Sequence, residues 1–372
     1  VNFATSTISM TIRSVSAIPV SLPFDIYGPK PMLAGKPRMM EFLLIRVETE
    51  DGRIGWGEAF GFAVWPATKT VIETLIDPAV RGKNEADIAQ IHDELSRKYH
   101  LLGRSGPVMY ALSGLDIALW DLAGKAADKS LSELLGGRRR ESVAAYASLM
   151  KYTDPDVVAR NSAKAANEGY GIIKLHETGV EQIRRSREAI GPGVKLTVDV
   201  NCPWTAEQAI AICEQTRELD LYWLEEPVWP PEDYRQMARV RKEGKIAIAA
   251  GENASTYLDF QAMFEAGAVD FAQPSVTKIG GITELLRVAE LARRHGVAFA
   301  PHSPYMGPGL IATIHVLAAC NEEIPLEYCF CNVTDNPVAA AISVRDARLA
   351  VPAGPGLGCD PDLRLVEKYR VN

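Results

Sequence analysis

From about residue 142 the chain repeats one hydropathic unit, a short β-rich apolar run ending in one or two polar residues, then a stretch of helical periodicity. The runs are Val143–Met150, Gly171–His176, Lys195–Asn201, Tyr222–Pro227, Ile246–Asn253, Phe271–Lys278, Val297–Ser303 and Leu326–Phe330. Amphipathic stretches such as Ala206–Leu219 and Ile282–His295 separate them. Strand alternating with helix predicts a parallel sheet, and eight such units predict a closed barrel. The first third is patterned differently. Ile12–Val20, Phe42–Glu48 and Gly55–Glu58 read as an antiparallel meander, with helices expected near Thr68–Ile76, Ala86–Lys98 and Met109–Ala126. The expected fold class is therefore α/β: a modified TIM (β/α) barrel over residues 136–345 with an α+β capping domain over 10–135. The Gly/Pro-rich segment Ala347–Cys359 is expected to pack back on the cap, so that 346–372 completes that domain.

Polar residues recur at matching places in these runs. His176, Asp199, Glu225, Glu252, Ser275, His302 and Glu327 stand at or near strand ends, separated by 23, 26, 27, 23, 27 and 25 residues. Each step is about one βα unit, so these side chains should ring one barrel mouth, where barrel enzymes place their chemistry. Several carboxylates converging on one rim need a functional reason, because unpaired buried charge is costly.

Composition narrows the classes of function. A chain of 372 residues accommodates a barrel of roughly 200–250 residues plus a smaller domain. No stretch approaches the ~20 apolar residues of a membrane span, so no membrane partner is expected. Residues 1–9 are Ser/Thr-rich without an apolar core and read as leader or appended residues. A net charge of −7 weighs against nucleic acid. It leaves a small anionic substrate open, since a bound cation reverses the local field. The six cysteines (202, 213, 320, 329, 331, 359) lack CxxC spacing; Cys329 and Cys331 read as thiols in a buried strand of a reduced, cytoplasmic protein.

Asp199, Glu225 and Glu252 form a three-carboxylate set on consecutive strands, and hard oxygen ligands without Cys or His in register favour Mg2+ over zinc. Glu226 should point to the other side of its strand end and stand behind the ligands. Lys174 and His176, two apart on one strand, face the same side. Beside a divalent cation they should depress each other's pKa, which suits an acid or base near neutrality. His302, in APHSPY, lies across the barrel from that strand. A lone histidine is more often a satisfied core residue; its place in the register reverses that prior. His92, His100, His295 and His315 fall on helices or helix ends and read as structural. The glycines of KIGG fit a tight strand-to-helix turn better than a phosphate cradle, with Lys278 anchoring the barrel.

Together, ALSGLDIALWDLAGK, SLSELLGG, the K-x-H of strand two, VDVN, WLEEP, GEN, KIGG and the His of APHSP resemble the enolase superfamily, and within it the mandelate racemase subgroup. The resemblance covers nearly the whole chain. It implies one Mg2+ per subunit at Asp199, Glu225 and Glu252, binding the substrate carboxylate and stabilising the enediolate formed when the α-proton leaves. It also implies that Glu327 hydrogen-bonds the substrate, and that the protein is a homo-oligomer. Two positions depart from the family's pattern. His176 stands where racemases usually carry a second lysine. Ser275 stands where the subgroup usually has the aspartate that pairs with the strand-seven histidine, so His302 should lose its orienting partner and be a weaker base but a workable acid.

The departure at Ser275 favours dehydration of a polyhydroxy acid to a 2-keto-3-deoxy acid, which needs one base and one acid. Lys174 and His176 would serve one face and His302 the other. A racemase, an epimerase or a cycloisomerase is the nearest alternative, and a non-catalytic metal-binding barrel is one of another class. No Gly-rich nucleotide fingerprint follows an early strand. Specificity is expected from Leu22–Lys36, a Pro/Gly-rich lid carrying Tyr27 and Lys30, and from Ala59–Pro66, which adds Phe60, Phe62 and Trp65. Asn201, in VDVN, is expected to contact substrate.

Overall fold

The computed structural model describes residues 10–33 and 35–371; the expected leader, residues 1–9, lies outside them. The N-terminal part is a three-stranded antiparallel sheet of β1 (Ile12–Leu22), β2 (Met40–Thr49) and β3 (Ile54–Ala59), ordered β1-β2-β3. Helices α1 (Trp65–Val71), α2 (Ile88–Lys98) and α3 (Pro107–Ala127) follow it. Helix α3 has Pro at its first turn and ends at Asp128 in the left-handed region. It is apolar nearly all round because it lies between the sheet and the second body. Its approach to β3 depends on glycine: a Cβ on Gly57 would sit 2.1 Å from the Gly114 carbonyl oxygen.

The eight predicted runs form the parallel strands β4 (Ser142–Ser148), β5 (Ile172–Leu175), β6 (Lys195–Asp199), β7 (Leu221–Glu225), β8 (Ile248–Ala250), β9 (Phe271–Ala272), β10 (Ala298–Phe299) and β11 (Leu326–Cys329). Ladders join β11 to β4 and then each neighbour in order to β10. The expected barrel order is present with one unpaired seam, since among the described residues no ladder joins β10 to β11. A crevice lined by Val297–Ala300 and Cys320–Pro325, together with Ile172, Tyr222, Trp223 and Phe271, lies beside this seam. A last strand, β12 (Arg348–Ala350), pairs antiparallel with β4. The C-terminal helix α11 (Leu363–Tyr369) packs against β1. Between strands run the helices α4 (Pro155–Asn167), α5 (Val180–Ile190), α6 (Ala206–Gln215), α7 (Tyr234–Gly244), α8 (Tyr257–Glu265), α9 (Gly281–His295) and α10 (Pro308–Ala319).

Two buried carboxylates of the N-terminal body dock on barrel helices. Asp116 of α3 accepts from Thr283 N (3.0 Å) and its hydroxyl (2.5 Å) in the first turn of α9. Gly281, with φ of +84°, leaves the room that Asp116 fills. Glu58 of β3 accepts from Gly309 N (2.8 Å) in the first turn of α10. Both contacts satisfy backbone N–H groups that a first helical turn leaves without an intrahelical partner, and these helices begin just after the strand ends. The cap is thereby held over the barrel mouth.

Candidate active site

A cavity of about 880 Å3 lies between the cap and the mouth, within the size range of small-molecule sites. Strand ends supply its floor. At the centre stands Lys174 on β5, with its side chain 0% exposed. Its ammonium lies 2.5 Å from Glu225, 2.9 Å from Glu327 and 3.2 Å from Asp199. Burial alone would strip its proton, but those three carboxylates outweigh burial and hold the pKa well above the usual lysine range. Lys174 is not among the residues lining the cavity.

His176, just past β5, does line it, with 26% of its side chain exposed. Its Nδ1 donates to the Leu149 carbonyl (2.5 Å), which can only accept. A neutral ring therefore carries its lone pair on Nε2, 3.4 Å from Asp199. Burial lowers its pKa, yet hydrogen bonding and charge from Asp199 outweigh that and raise it. The Lys174 charge lowers the His176 pKa, in the expected sense, but without a cation bound the carboxylates around the pair outweigh it.

Asp199 closes β6, Glu225 closes β7 and Glu252 follows β8 by two residues. Asn201, with φ of +55°, turns back so that its amide donates to Asp199 (2.5 Å), as does its backbone N (3.0 Å). Trp223 Nε1 donates to Glu225 (3.0 Å) from inside the barrel. Glu226 points to the other side of its strand end, accepting from Gly251 N (3.0 Å) and the Cys202 thiol (3.2 Å). Burial, then the charge of Glu252, pushes its pKa up to about 7.

On the far side His302 stands between two oxygens: Nε2 lies 2.6 Å from Glu252, and Nδ1 lies 3.0 Å from the Ser275 hydroxyl. The Ser275 hydroxyl is in turn hydrogen-bonded to the buried Tyr305 hydroxyl. The expectation that His302 loses its orienting partner is corrected, since serine backed by tyrosine supplies that contact. Glu327 accepts from Ser148 (2.8 Å) and Ser303 N (2.9 Å) as well as from Lys174. Burial opposes its ionisation, but Lys174 and then His302 hold its pKa low.

Among the described residues no three potential ligands already stand in a coordination arrangement, because Lys174 holds Asp199 and Glu225 while His302 holds Glu252. The donor chemistry nevertheless fits a hard divalent cation. Four carboxylates (Asp199, Glu225, Glu252, Glu327) crowd one mouth, and among the described residues Lys174 is the one ammonium ion-paired with them. Excess buried negative charge is what a cation relieves.

The cap walls come from both expected loops, though not from every residue expected. Tyr27 and Lys30 do not line the cavity. Tyr27 instead packs on Phe330 (5.3 Å), and its carbonyl accepts from Asn161 (3.2 Å). Lys36, Arg38, Phe60 and Phe62 line it, whereas Trp65 does not. Lys278, expected to anchor the barrel, also lines the cavity, 5.0 Å over the Phe60 ring. Ser148 and Lys151, at and after the end of β4, were missed. A step of about 25 residues back from His176 falls on Lys151, so the same register reaches it.

Two family models match the chain. One, described as mandelate racemase / muconate lactonizing enzyme, N-terminal domain, covers residues 18–136. The other, described as enolase C-terminal domain-like, covers 157–365. An arabinonate dehydratase of Saccharolobus solfataricus is 31% identical over 342 residues, 89% of this chain and 91% of that one. A D-galactarolactone cycloisomerase of Agrobacterium fabrum is 33% identical over 348 residues, 88% of this chain and 91% of that one. The solved L-talarate dehydratase of Polaromonas sp. JS666, complexed with Mg and L-glucarate, superposes with a TM-score of 0.82 at 27% identity, covering 98% of each chain.

Proposed function

The chain belongs to the mandelate racemase / muconate lactonizing enzyme family of the enolase superfamily, and from that premise we propose a Mg2+-dependent sugar-acid dehydratase. The substrate is a small polyhydroxy carboxylate, and the product is its 2-keto-3-deoxy acid. One observation carries the reading: two imidazoles, His176 and His302, flank a buried carboxylate cluster in a single cavity.

Asp199, Glu225 and Glu252 would hold one Mg2+ per subunit, with Glu226 behind them. When bound, the cation acts as a Lewis acid for the negative charge that develops on the substrate carboxylate as its α-proton leaves. Lys174, buried and permanently charged, keeps Asp199, Glu225 and Glu327 in place. His176, with Nδ1–H fixed on Leu149, takes the α-proton at Nε2. The C–H electron pair moves into the C1–C2 bond. The C3–O bond then breaks, and the hydroxyl leaves as water with the proton of His302 Nε2–H. Ser275 and Tyr305 fix the His302 ring, Asn201 orients Asp199, and Glu327 and Lys278 border the substrate. Tautomerisation of the enol completes the 2-keto acid.

Racemisation fits less well. It needs a competent base on each face, and Ser275, a neutral hydroxyl behind His302 rather than a carboxylate, favours the acid role there. Cycloisomerisation shares the first step and differs in which C–O bond breaks; both activities occur among the relatives. No helix among the described residues is long and apolar enough to cross a membrane. Six free thiols support a reducing, cytoplasmic setting, and the exposed Leu101, Leu102 and Leu258 support self-association as a homo-oligomer. The test is incubation with Mg2+ and aldonic or aldaric acids, followed by 2-keto acid detection. A keto product abolished by EDTA and restored by Mg2+ is expected. Mg2+ binding without a product from any acid would contradict the proposal.

A further inference from the structure

Among the described arginines, Arg38, Arg104, Arg235 and Arg345 have guanidinium groups in no hydrogen bond or ion pair, and the last three are solvent-exposed. Arg38 alone is half-buried, and it lines the cavity. Its guanidinium stacks 5.1 Å over the Phe62 ring and acts electrostatically on the Cys329 thiol at the end of β11 and on the Glu41 carboxyl, which lines the same cavity without forming an ion pair with it. A partly desolvated guanidinium with five donors and no acceptor is a site waiting for an anion, and its planar fork matches a carboxylate. Lys151 lines the same cavity just after β4, the strand paired with β11 through Ser148 and Cys329. It too is in no ion pair.

The place of these cations in the barrel matters as much as their charge. Asp199, Glu225 and Glu252 come from strands three to five, and strands eight and one lie on the opposite side of an eight-stranded round. A chain whose first carboxylate sits at the triad therefore runs across the mouth toward Arg38 and Lys151. We infer that Arg38, assisted by Lys151, forms a second anion subsite that takes the distal carboxylate of a dicarboxylic sugar acid. The inference rests on the dehydratase reading above. A monocarboxylic acid would place a hydroxymethyl group there, which offers the guanidinium no charge.

The experiment compares kcat and KM for glucaric against gluconic acid and galactaric against galactonic acid, with Mg2+. It uses the wild type, Arg38→Gln, Arg38→Lys and Lys151→Gln. Circular dichroism and Mg2+ titration confirm that each variant folds. The wild type should prefer the diacid of a productive pair by at least about tenfold in kcat/KM. Arg38→Gln should shrink that diacid-to-monoacid ratio about 100-fold, mainly through KM, because the fork's paired hydrogen bonds are lost. Arg38→Lys should recover part of the ratio and Lys151→Gln should lower it less. A ratio unchanged in Arg38→Gln, or a wild type that favours monoacids, overturns the subsite and leaves the dehydratase reading standing. Absence of product from all four acids overturns both.

Discussion

Replacing Glu58 by glutamine should stabilise the protein at pH 8 and do little at pH 5. Glu58 is fully buried where the cap meets α10, with one hydrogen bond, from Gly309 N. Burial raises its pKa from 4.5 to about 8, against that bond. The carboxyl is therefore protonated in the folded protein over a range in which the unfolded chain is ionised. The stability this gives is complete below pH 4.5 and is lost as pH rises through about 8. Linkage puts the loss at about 3 kcal/mol by pH 7. With an unfolding entropy of roughly 2.1 cal/mol/K per residue, 372 residues give about 0.8 kcal/mol/K, so that loss corresponds to about 4 °C in Tm. Glutamine keeps an acceptor for Gly309 N and cannot ionise. Thermal unfolding of both proteins at one scan rate from pH 5 to 8.5 should give Tm curves that diverge by several degrees, the variant being higher at the alkaline end. Parallel curves would refute the argument, as would a wild type that gains on the variant with rising pH.

His315 gives the opposite limb. It is buried between Ser132 and the Leu357 carbonyl, and burial lowers its pKa from 6.5 to about 4. The unfolded chain takes up the proton first, so stability falls by up to about 3 kcal/mol as pH drops from 6.5 to 4. His315→Gln should flatten that limb in acid titrations followed by circular dichroism, and an unchanged limb would point to other groups. His302→Asn should slow dehydration by about 10²–10⁴, the usual worth of a general acid, with Mg2+ affinity by calorimetry within a few-fold. Loss of metal binding in that variant would instead make His302 a prop for Glu252.

The barrel and its rim were legible because βα units impose a register: one side chain per strand end, about 25 residues apart, from His176 to Glu327. The unpaired seam between β10 and β11 was not, since the apolar run Val297–Ser303 does not reveal that only two of its residues pair. Lys174 and His176 looked equivalent at a spacing of two. The bend at the end of β5 separates them, placing one under the carboxylates and the other in the cavity. Ser275 was read as the loss of an aspartate, because Tyr305, thirty residues on and bonded to its hydroxyl, has no pattern to announce it. The lid shows the same limit. An irregular loop has no periodicity, so nothing in its sequence says that Arg38 faces the cavity while Tyr27 turns to Phe330.

The central claim is that His176 removes an α-proton in a Mg2+-dependent step and His302 protonates the departing hydroxyl. Proton NMR in D2O, with Mg2+ and the best acid found, tests it directly in the wild type, His176→Asn and His302→Asn. The account predicts a 2-keto-3-deoxy product from the wild type, no exchange from His176→Asn, and α-deuterium without product from His302→Asn. Product formation by His176→Asn at the wild-type rate, or a reaction that survives removal of Mg2+, would contradict it.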